Sequence, residues 1–260
     1  MSKKPIVLSI SGHDPTGGAG IQADAESVTY FGCQPCSVIS CLTVQDSTTV
    51  HRLIPMSADD IIQQAKVLLC DMPVAVIKIG LTGSVSTVKA IANILQLHPD
   101  IPVVFDPVLA CGDGTPLANT ELIKVTRSEL LPLTTVLTPN SIEACQLADL
   151  NGSSTIKSLG VSLLKNGPDY VLITGGHVNG SIIRNHLFNQ HKKTETYEST
   201  RQTGDFHGTG CTLASSIAAL MAKGYSVPEA VESAQVYVDK AIKQAVQFGK
   251  GQYFPNRSQS

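Results

Sequence analysis

The segment His207-Gly208-Thr209-Gly210-Cys211 opens a long apolar stretch of helical period, and its residue types suit the binding of an anion. Glycine lets an oxyanion approach the backbone closely, and the first-turn N–H groups of a helix have no partner within the helix. We therefore predict that Gly208, Thr209 and Gly210 form an anion hole for a phosphate. Cys211 would lie inside it, where the helix field lowers the pKa of a thiol. The alternative is that Thr209 only caps the helix while the glycines permit close packing.

Another glycine-rich stretch, Ser11–Asp24, comes earlier in the chain and is here called the first glycine-rich segment. It follows the first apolar run and opens another helical stretch. It contains Gly18-x-Gly20-x-x-Ala23, a formal match to the dinucleotide-binding fingerprint. That fingerprint begins at a tight turn directly after a strand, whereas here six residues intervene, so the match is poor. We predict instead a wall of backbone against a flat ligand, with Asp24 presenting a carboxylate to a polar substituent. A flexible loop before a helix is the alternative.

Carboxylates and an amide follow two of the predicted strands. Asp106 comes directly after an apolar run, and Asn140 and Glu143 follow Thr138-Pro139 at the end of the next run. Oxygen ligands of this kind hold Mg²⁺, either directly or through ordered water. We therefore predict that the three residues form a magnesium site. The alternative for Asn140 and Glu143 is a capping-box variant that only begins a helix.

Gln45 ends the apolar run Ser37–Val44, and its amide carries both donors and an acceptor. This combination suits the edge of an aminopyrimidine or another amide-bearing ring, although a solvent-exposed glutamine explains the position equally well. Because His207 is close to Cys211 in sequence, a Cys/His hydrolase is a further alternative. Residues at a loop-to-helix junction often point apart, so we do not expect these two to form a hydrogen-bonded dyad.

Composition narrows the class of protein. The chain has 260 residues, of which 42% are hydrophobic and 15% charged, and its formal net charge is −2. It therefore has the apolar content of a folded domain, and it lacks the cationic surface that binding to nucleic acid or an anionic membrane would need. No stretch approaches the ~20 apolar residues of a membrane span. Its seven scattered cysteines indicate a reducing compartment rather than a disulfide framework, so we expect a cytoplasmic protein.

The elements that must position these residues alternate regularly along the chain. Short Val- and Ile-rich runs predict six buried strands: Ile6–Ser11, Ser37–Val44, Val74–Ile79, Val103–Phe105, Thr135–Leu137 and Tyr170–Thr174. Helical periodicity predicts eight helices: Ile21–Phe31, Ala58–Leu69, Val85–Leu97, Thr120–Leu130, Ser141–Leu150, Thr155–Lys165, Thr209–Lys223 and Pro228–Gln247. This alternation is typical of parallel β-α-β units covered on both faces.

We therefore predict one three-layer α/β/α domain over residues 1–260, with a mostly parallel central sheet. Ser181–Phe188 and Thr194–Ser199 read as an added hairpin, and the polar tail after Phe248 is expected to fray. In such folds ligands bind beyond the carboxyl ends of the strands, where the candidate residues fall.

The order of these motifs resembles that of the hydroxymethylpyrimidine/phosphomethylpyrimidine kinases, members of the ribokinase-like superfamily. The resemblance extends over about residues 5–250. The segments that carry it are Ser11–Asp24, Val38–Gln45, Ile77–Gly80, Asp106–Val108, Thr138–Asn140 with Glu143, Thr174–His177 and His207–Leu213.

The resemblance implies a ribokinase-like fold and the use of ATP and Mg²⁺ to phosphorylate 4-amino-5-hydroxymethyl-2-methylpyrimidine and then its monophosphate, in thiamine diphosphate synthesis. We also expect a homodimer. In that family the counterpart of Gln45 grips the pyrimidine, with other pocket positions around it: Gly12, Ala19, Asp24 and Val108.

The resemblance also implies roles for the phosphate-binding residues. The counterparts of Gly208, Gly210 and Cys211 form the anion hole, and Asn140 and Glu143 match the motif for Mg²⁺ and phosphate. We expect Thr209 and Thr174 to contact the nucleotide, Asp24 to hold the hydroxymethyl group, and a Cys211 thiolate to act as base in the first step.

Two positions depart from the wider family. Many ribokinase-like kinases have Asp where Cys211 stands, and several pyrimidine kinases have Lys at the position of Thr174. The second departure concerns how the nucleotide phosphates are neutralised. A pyridoxal or pyridoxine kinase of the same superfamily, a non-catalytic pyrimidine-binding protein and the Cys-dependent hydrolase are the alternative functions.

Overall fold

A computed structural model describes residues 4–112, 114–150, 154–178, 180–191 and 194–258. Its centre is a nine-stranded sheet of order β3-β2-β1-β4-β5-β6-β7-β8-β9. The six strands from β2 to β7 in this order run parallel, while β3, β8 and β9 are antiparallel to their neighbours. The strands are β1 Ile6–His13, β2 Gln34–Gln45, β3 Val50–Pro55, β4 Val74–Ile79, β5 Val103–Phe105, β6 Val136–Leu137, β7 Tyr170–Ile173, β8 Ile182–Asn189 and β9 Thr194–Thr200.

Helices cover both faces of the sheet, as predicted. They are α1 Gly20–Tyr30, α2 Ala58–Asp71, α3 Val85–Leu97, α4 Thr120–Glu129, α5 Ser141–Ala148, α6 Ile156–Leu164, α7 Thr209–Ala222 and α8 Val227–Lys243. One apolar core packs α2 to α6 against side chains such as Leu8, Ile77 and Phe105. The other packs α1, α7 and α8 against the alternate strand residues, among them Val7 and Val104. Successive strand side chains point to opposite faces, so continuous apolar strands supply both cores.

The strand β3 was not predicted. Its sequence, Val50–Pro55, mixes polar and apolar residues, so it lacks the apolar run that marks a buried strand. It forms because the last residues of β2 extend beyond its pairing with β1, and the chain then turns back antiparallel to them. Leu42 lies opposite Ile54 and Val44 opposite Arg52. This arm is an edge of the sheet, where such a mixed sequence is stable.

The prediction that the tail after Phe248 frays is wrong for the described residues. The stretch 246–257, here called the C-terminal segment, turns back across the molecule through bridges from Val246 to Phe254 and from Phe206 to Tyr253. Phe254 and Arg257 are buried. The prediction was wrong because a polar composition does not exclude burial: the guanidinium of Arg257 is buried together with its hydrogen-bond partners.

Arg257 connects two parts of the chain that are distant in sequence. Its Nε donates to Thr212 Oγ1 over 2.8 Å, its Nη2 donates to the carbonyl of Gly18, and its Nη1 lies 3.2 Å from Glu26 Oε2. It thereby ties the first glycine-rich segment to the first turn of α7. No helix among the described residues combines the length and the apolar character needed to cross a membrane.

Candidate active site

A cavity of about 470 Å³ lies beyond the carboxyl ends of the parallel strands. It brings the two glycine-rich segments together, although about 190 residues separate them in sequence. Twelve of the thirteen predicted site residues line it: Gly12, Ala19, Gln45, Asp106, Val108, Asn140, Glu143, Thr174, Gly208, Thr209, Gly210 and Cys211.

The N-terminus of α7 opens on this cavity without a side-chain cap. Gly208 is the N-cap residue, with φ +75°, and as a glycine it has no side chain that could accept from the first-turn N–H groups. The alternative in which Thr209 only caps the helix is therefore wrong. A Cβ at position 208 would overlap the carbonyl oxygen of Gly18, so only glycine permits this conformation and this close contact between the segments. The first-turn N–H groups of α7 are therefore not used up by a cap, and the anion hole that we expect them to form stays a prediction.

Asp24 does not line the cavity, contrary to the prediction that it contacts the ligand. Its carboxylate is fully buried, where Oδ1 accepts from Lys78 Nζ over 2.7 Å and from Ser215 Oγ over 2.6 Å. The spacing correctly placed Asp24 one turn into α1, but that turn faces the sheet and α7 instead of the cavity. Asp24 therefore acts on the site only through the residues it holds.

The environment of Cys211 also differs from the prediction. Burial raises the pKa of its thiol to about 12, and the nearby carboxylates of Asp106 and Asp24 act in the same direction. Lys78 and a hydrogen bond from the Gly20 N–H oppose this shift without cancelling it. The helix field thus does not produce a resting thiolate, because desolvation of the buried thiol outweighs it.

Asp106 lies beside Cys211 and hydrogen-bonds to it. Burial raises the pKa of Asp106 to about 6, while the positive charge of Lys78 limits the shift. Its Oδ2 is buried and has no hydrogen-bond partner among the described residues. At neutral pH the group that carries negative charge here is therefore the carboxylate of Asp106, with the thiol of Cys211 as its neighbour.

Asn140 and Glu143 form a complete capping box at the start of α5. Asn140 Oδ1 accepts from the N–H groups of Ile142 and Glu143, both at 2.9 Å, and Glu143 Oε2 accepts from the N–H of Asn140 at 2.9 Å. The capping box that was the alternative for these two residues is thus present, and both side chains also line the cavity. Burial, and then the charge of Asp106, raise the pKa of Glu143 to about 8.

These oxygens fit a Mg²⁺ ion that arrives with a phosphate. No cluster of three or more His, Cys, Asp or Glu side chains in the described ranges could hold a metal alone. Mg²⁺ typically uses one or two carboxylates together with substrate phosphates and water. The unpartnered Asp106 Oδ2 and the raised pKa of Glu143 are the features that a cation would satisfy.

His207 contacts Asp14 and Gln45 rather than Cys211. Its Nε2 lies 2.7 Å from Asp14 Oδ2 and 3.0 Å from Gln45 Nε2. This arrangement does not support the Cys/His hydrolase, since the imidazole is committed elsewhere while Cys211 bonds to Asp106. Gln45 is half-buried in the cavity wall, so it is not the freely exposed glutamine of the alternative.

Four residues of this neighbourhood were missed by the sequence reasoning: Asp14, Lys78, Arg201 and Arg257. Lys78 had a usable signal, since a lysine inside the apolar run Val74–Ile79 must find a buried partner. Arg201 lines the same cavity as Thr174, and it donates to the carbonyls of Gly176 at 2.9 Å and Gly180 at 2.8 Å. Nothing in its local sequence indicated that position.

Comparisons with known proteins identify the family of the chain. The family model described as phosphomethylpyrimidine kinase matches residues 14–256. A hydroxymethylpyrimidine/phosphomethylpyrimidine kinase of Mycobacterium tuberculosis is 35% identical over 253 residues, covering 95% of this chain and 91% of the relative.

Two solved structures have the same fold. A phosphomethylpyrimidine kinase of Clostridium difficile has a TM-score of 0.81 at 30% identity, covering 92% of this chain and 100% of that one. A pyridoxal kinase of Bacillus subtilis in complex with ADP has a TM-score of 0.90 at 27% identity, covering 98% of both chains. The match to the family model, the identity to the curated relative and the shared fold together show that this chain belongs to the phosphomethylpyrimidine kinase family.

Proposed function

We propose that this protein uses ATP to phosphorylate 4-amino-5-hydroxymethyl-2-methylpyrimidine, and then its monophosphate, in the synthesis of thiamine diphosphate. The observation that carries the proposal is that one cavity contains both the uncapped N-terminus of α7 and the wall of Ala19, Gln45 and Val108. The first binds the phosphoryl group in transfer and the second binds the ring. Such reactions depend mainly on positioning and charge stabilisation.

The first step requires that the substrate hydroxyl lose a proton. Because the Cys211 thiol has a pKa of about 12, it cannot act as a resting thiolate, and we propose a relay instead. The oxygen of the substrate attacks the γ-phosphorus of ATP, its proton moves to Sγ of Cys211, and the thiol proton moves to Asp106. The bond from the γ-phosphorus to the bridging oxygen breaks, and ADP leaves. In the second step the attacking phosphate oxygen is already anionic and needs little or no base.

The metal role of Asp106, Asn140 and Glu143 is proposed on electrostatic grounds. The carboxylate of Asp106 and the carboxyl group of Glu143 line a cavity that must accept a polyphosphate, and the negative charge of Asp106 opposes the binding of phosphate. A Mg²⁺ ion bound with the nucleotide supplies positive charge that neutralises the phosphate oxygens. Glu143 would then give up its proton, and Asp106 would orient water or bind the ion through Oδ2.

We infer that the nucleotide binds toward Thr174. The backbone N–H of Thr174 donates to the Pro139 carbonyl over 2.9 Å, and this hydrogen bond holds the end of β7 against the turn before α5. ATP use is supported by the ADP complex of the similar Bacillus subtilis kinase. Thr174 carries no charge, so in this chain the α7 N–H groups and the metal must supply more of the phosphate neutralisation.

A pyridoxal kinase is the second candidate function, because the TM-score to the Bacillus subtilis pyridoxal kinase is 0.90. The test is ADP release measured with a coupled assay on three acceptors: the pyrimidine alcohol, its monophosphate and pyridoxal. We expect both pyrimidines to exceed pyridoxal in kcat/KM. Preference for pyridoxal would favour the second candidate. Binding of the pyrimidine without ADP release would indicate a non-catalytic binding protein, and thiol-sensitive hydrolysis without ATP would indicate a hydrolase.

The homodimer and the cytoplasmic location stay predictions. Sedimentation of the purified chain with and without ATP tests the oligomeric state, and cell fractionation tests the location.

A further inference from the structure

The carboxylate of Asp14 is surrounded by hydrogen-bond donors. Its Oδ1 accepts from the N–H of Thr16 at 2.9 Å and from Thr16 Oγ1 at 2.8 Å, and its Oδ2 accepts from the N–H of Ala19 at 2.9 Å. Burial opposes ionisation, but the hydrogen bonds from His207 and Thr16 outweigh it and lower the pKa of Asp14 below its ordinary value. Asp14 is therefore a carboxylate at neutral pH and can only accept hydrogen bonds.

This fixes the role of the His207 nitrogen that faces it. Nε2 lies 2.7 Å from Asp14 Oδ2, a distance at which two lone pairs would repel each other, so Nε2 must carry a proton and donate it. A protonated ring nitrogen has no lone pair with which to accept. The NH₂ group of Gln45, 3.0 Å from the same Nε2, therefore finds no acceptor on His207.

The imidazole is also held in place by packing. A Cβ at position 18 would overlap Cδ2 of His207, so the ring lies directly against the backbone of Gly18. Its other neighbour is the ring of Phe254 in the C-terminal segment, with centroids 5.7 Å apart. The backbone of Gly18 and the ring of Phe254 thus support the position in which Nε2 of His207 faces Asp14.

We propose that Asp14 and His207 are positioning residues that set the polarity of Gln45. The single Nε2 proton is directed at Asp14, and Nε2 has no lone pair, so the amide oxygen of Gln45 is compatible with this N–H whereas the amide NH₂ is repelled by it. The amide NH₂ is therefore left to donate into the cavity. Gln45 then recognises a lone pair on the ring, such as a pyrimidine nitrogen, and disfavours a ring that presents C–H or N–H at that point. This inference rests on the proposed function, because it names the contact by which the same site selects its ring.

The decisive variant is Gln45→Glu, which keeps the shape and an acceptor for His207 but removes the NH₂ donor. We expect its KM for the pyrimidine alcohol to rise at least about tenfold, as for Gln45→Ala, since one lost hydrogen bond to a buried polar partner is worth about 1.4 kcal/mol. The KM for ATP should change by less than about twofold. An unchanged KM for the pyrimidine would mean that Gln45 acts as an acceptor and would overturn the inference.

The role of His207 is tested by a matched pair. His207→Gln places an NH₂ donor near the position of Nε2, whereas His207→Leu fills the space without a donor. We expect His207→Leu to raise the pyrimidine KM about tenfold with kcat within about twofold, and His207→Gln to restore it to within about threefold. In a Gln45→Ala background His207→Leu should add no further loss, because it acts through Gln45.

Additive losses in the double variant, or a loss of kcat with KM unchanged, would overturn the positioning role. If His207→Leu does not fold, the comparison of Gln45→Glu with the unaltered protein still decides the polarity. The unaltered protein is assayed first: absence of pyrimidine turnover overturns the proposed function and this inference with it. Turnover together with a Gln45→Glu variant of normal KM overturns this inference alone.

Discussion

Lys78 donates from Nζ to Oδ1 of Asp24 over 2.7 Å, and neither side chain is exposed to solvent. Burial alone would lower the pKa of Lys78, but the nearby Asp24, Cys211 and Asp106 outweigh it and raise the pKa above its ordinary value. The lysine is therefore charged, and it is the cation that limits the pKa shifts of Asp106 and Cys211. A pair outside the cavity thus sets the charge state of groups inside it.

Removal of one member of this pair should be strongly destabilising. Lys78→Met leaves Asp24 buried without its counter-charge, and breaking such a pair typically costs about 3–5 kcal/mol. The double variant Lys78→Met/Asp24→Leu removes both charges and should recover much of the loss. Urea unfolding monitored by circular dichroism measures both. A double variant that is no more stable than Lys78→Met would contradict the assignment of the cost to an unpaired charge.

The relay through Cys211 predicts unequal effects on the two phosphorylation steps. Cys211→Ala should lower kcat for the pyrimidine alcohol by about 10²-fold, the contribution of a general base, while kcat for the monophosphate falls by less than about tenfold. Asp106→Asn should lower kcat for both substrates because it also weakens the proposed Mg²⁺ site, with the larger loss for the alcohol because an amide cannot take the thiol proton. Cys33→Ala, a buried cysteine whose Sγ donates to the Ala219 carbonyl outside the cavity, is the control. Equal losses on both substrates would rule out the relay.

Glu143 predicts a pH dependence of stability. Its folded pKa of about 8 lies above its ordinary value of 4.5, so between these pH values the folded chain holds a proton that the unfolded chain has released. By linkage, the free energy of unfolding then decreases as pH rises from about 4.5 to 8. Glu143→Gln should flatten this slope, and Glu229→Gln at the exposed start of α8 should not. Urea midpoints at pH 5, 6.5 and 8 provide the measurement, and an unaltered slope in Glu143→Gln would disprove the assignment.

Arg257 should couple the two halves of the site. Arg257→Ala leaves the Gly18 carbonyl and Thr212 Oγ1 without their guanidinium donor, which loosens the first glycine-rich segment and the first turn of α7 together. We expect kcat/KM to fall about tenfold for both the pyrimidine and ATP, since small misplacements of reacting groups are costly. Arg184→Ala, which removes an exposed pair with Glu198, should leave both values within about twofold. A loss of kcat/KM for only one of the two substrates would show that Arg257 positions only one of the two segments.

The sequence predicted local features well because they depend on neighbours along the chain. Glycines before α7 and the amide at the end of β2 mark strand ends and helix starts, and the sheet brings these to one edge whatever the details of packing. The prediction that Asp24 contacts the ligand was wrong because spacing along a helix gives the turn on which a residue lies but not the element that this turn faces. The prediction of a lowered pKa for the Cys211 thiol was wrong because burial, a property of the folded chain, outweighs the helix field. Asp14, His207 and Gln45 meet only through tertiary contacts.

The C-terminal segment has a consequence for synthesis of the protein. Residues near position 18 emerge from the ribosome early, whereas Arg257 and Phe254, which hold the Gly18 backbone and the His207 ring, are added about 240 residues later. A nascent chain can therefore assemble much of the sheet before the contacts of Arg257 and Phe254 complete the pocket. Completion of the pocket thus waits until translation has passed residue 257.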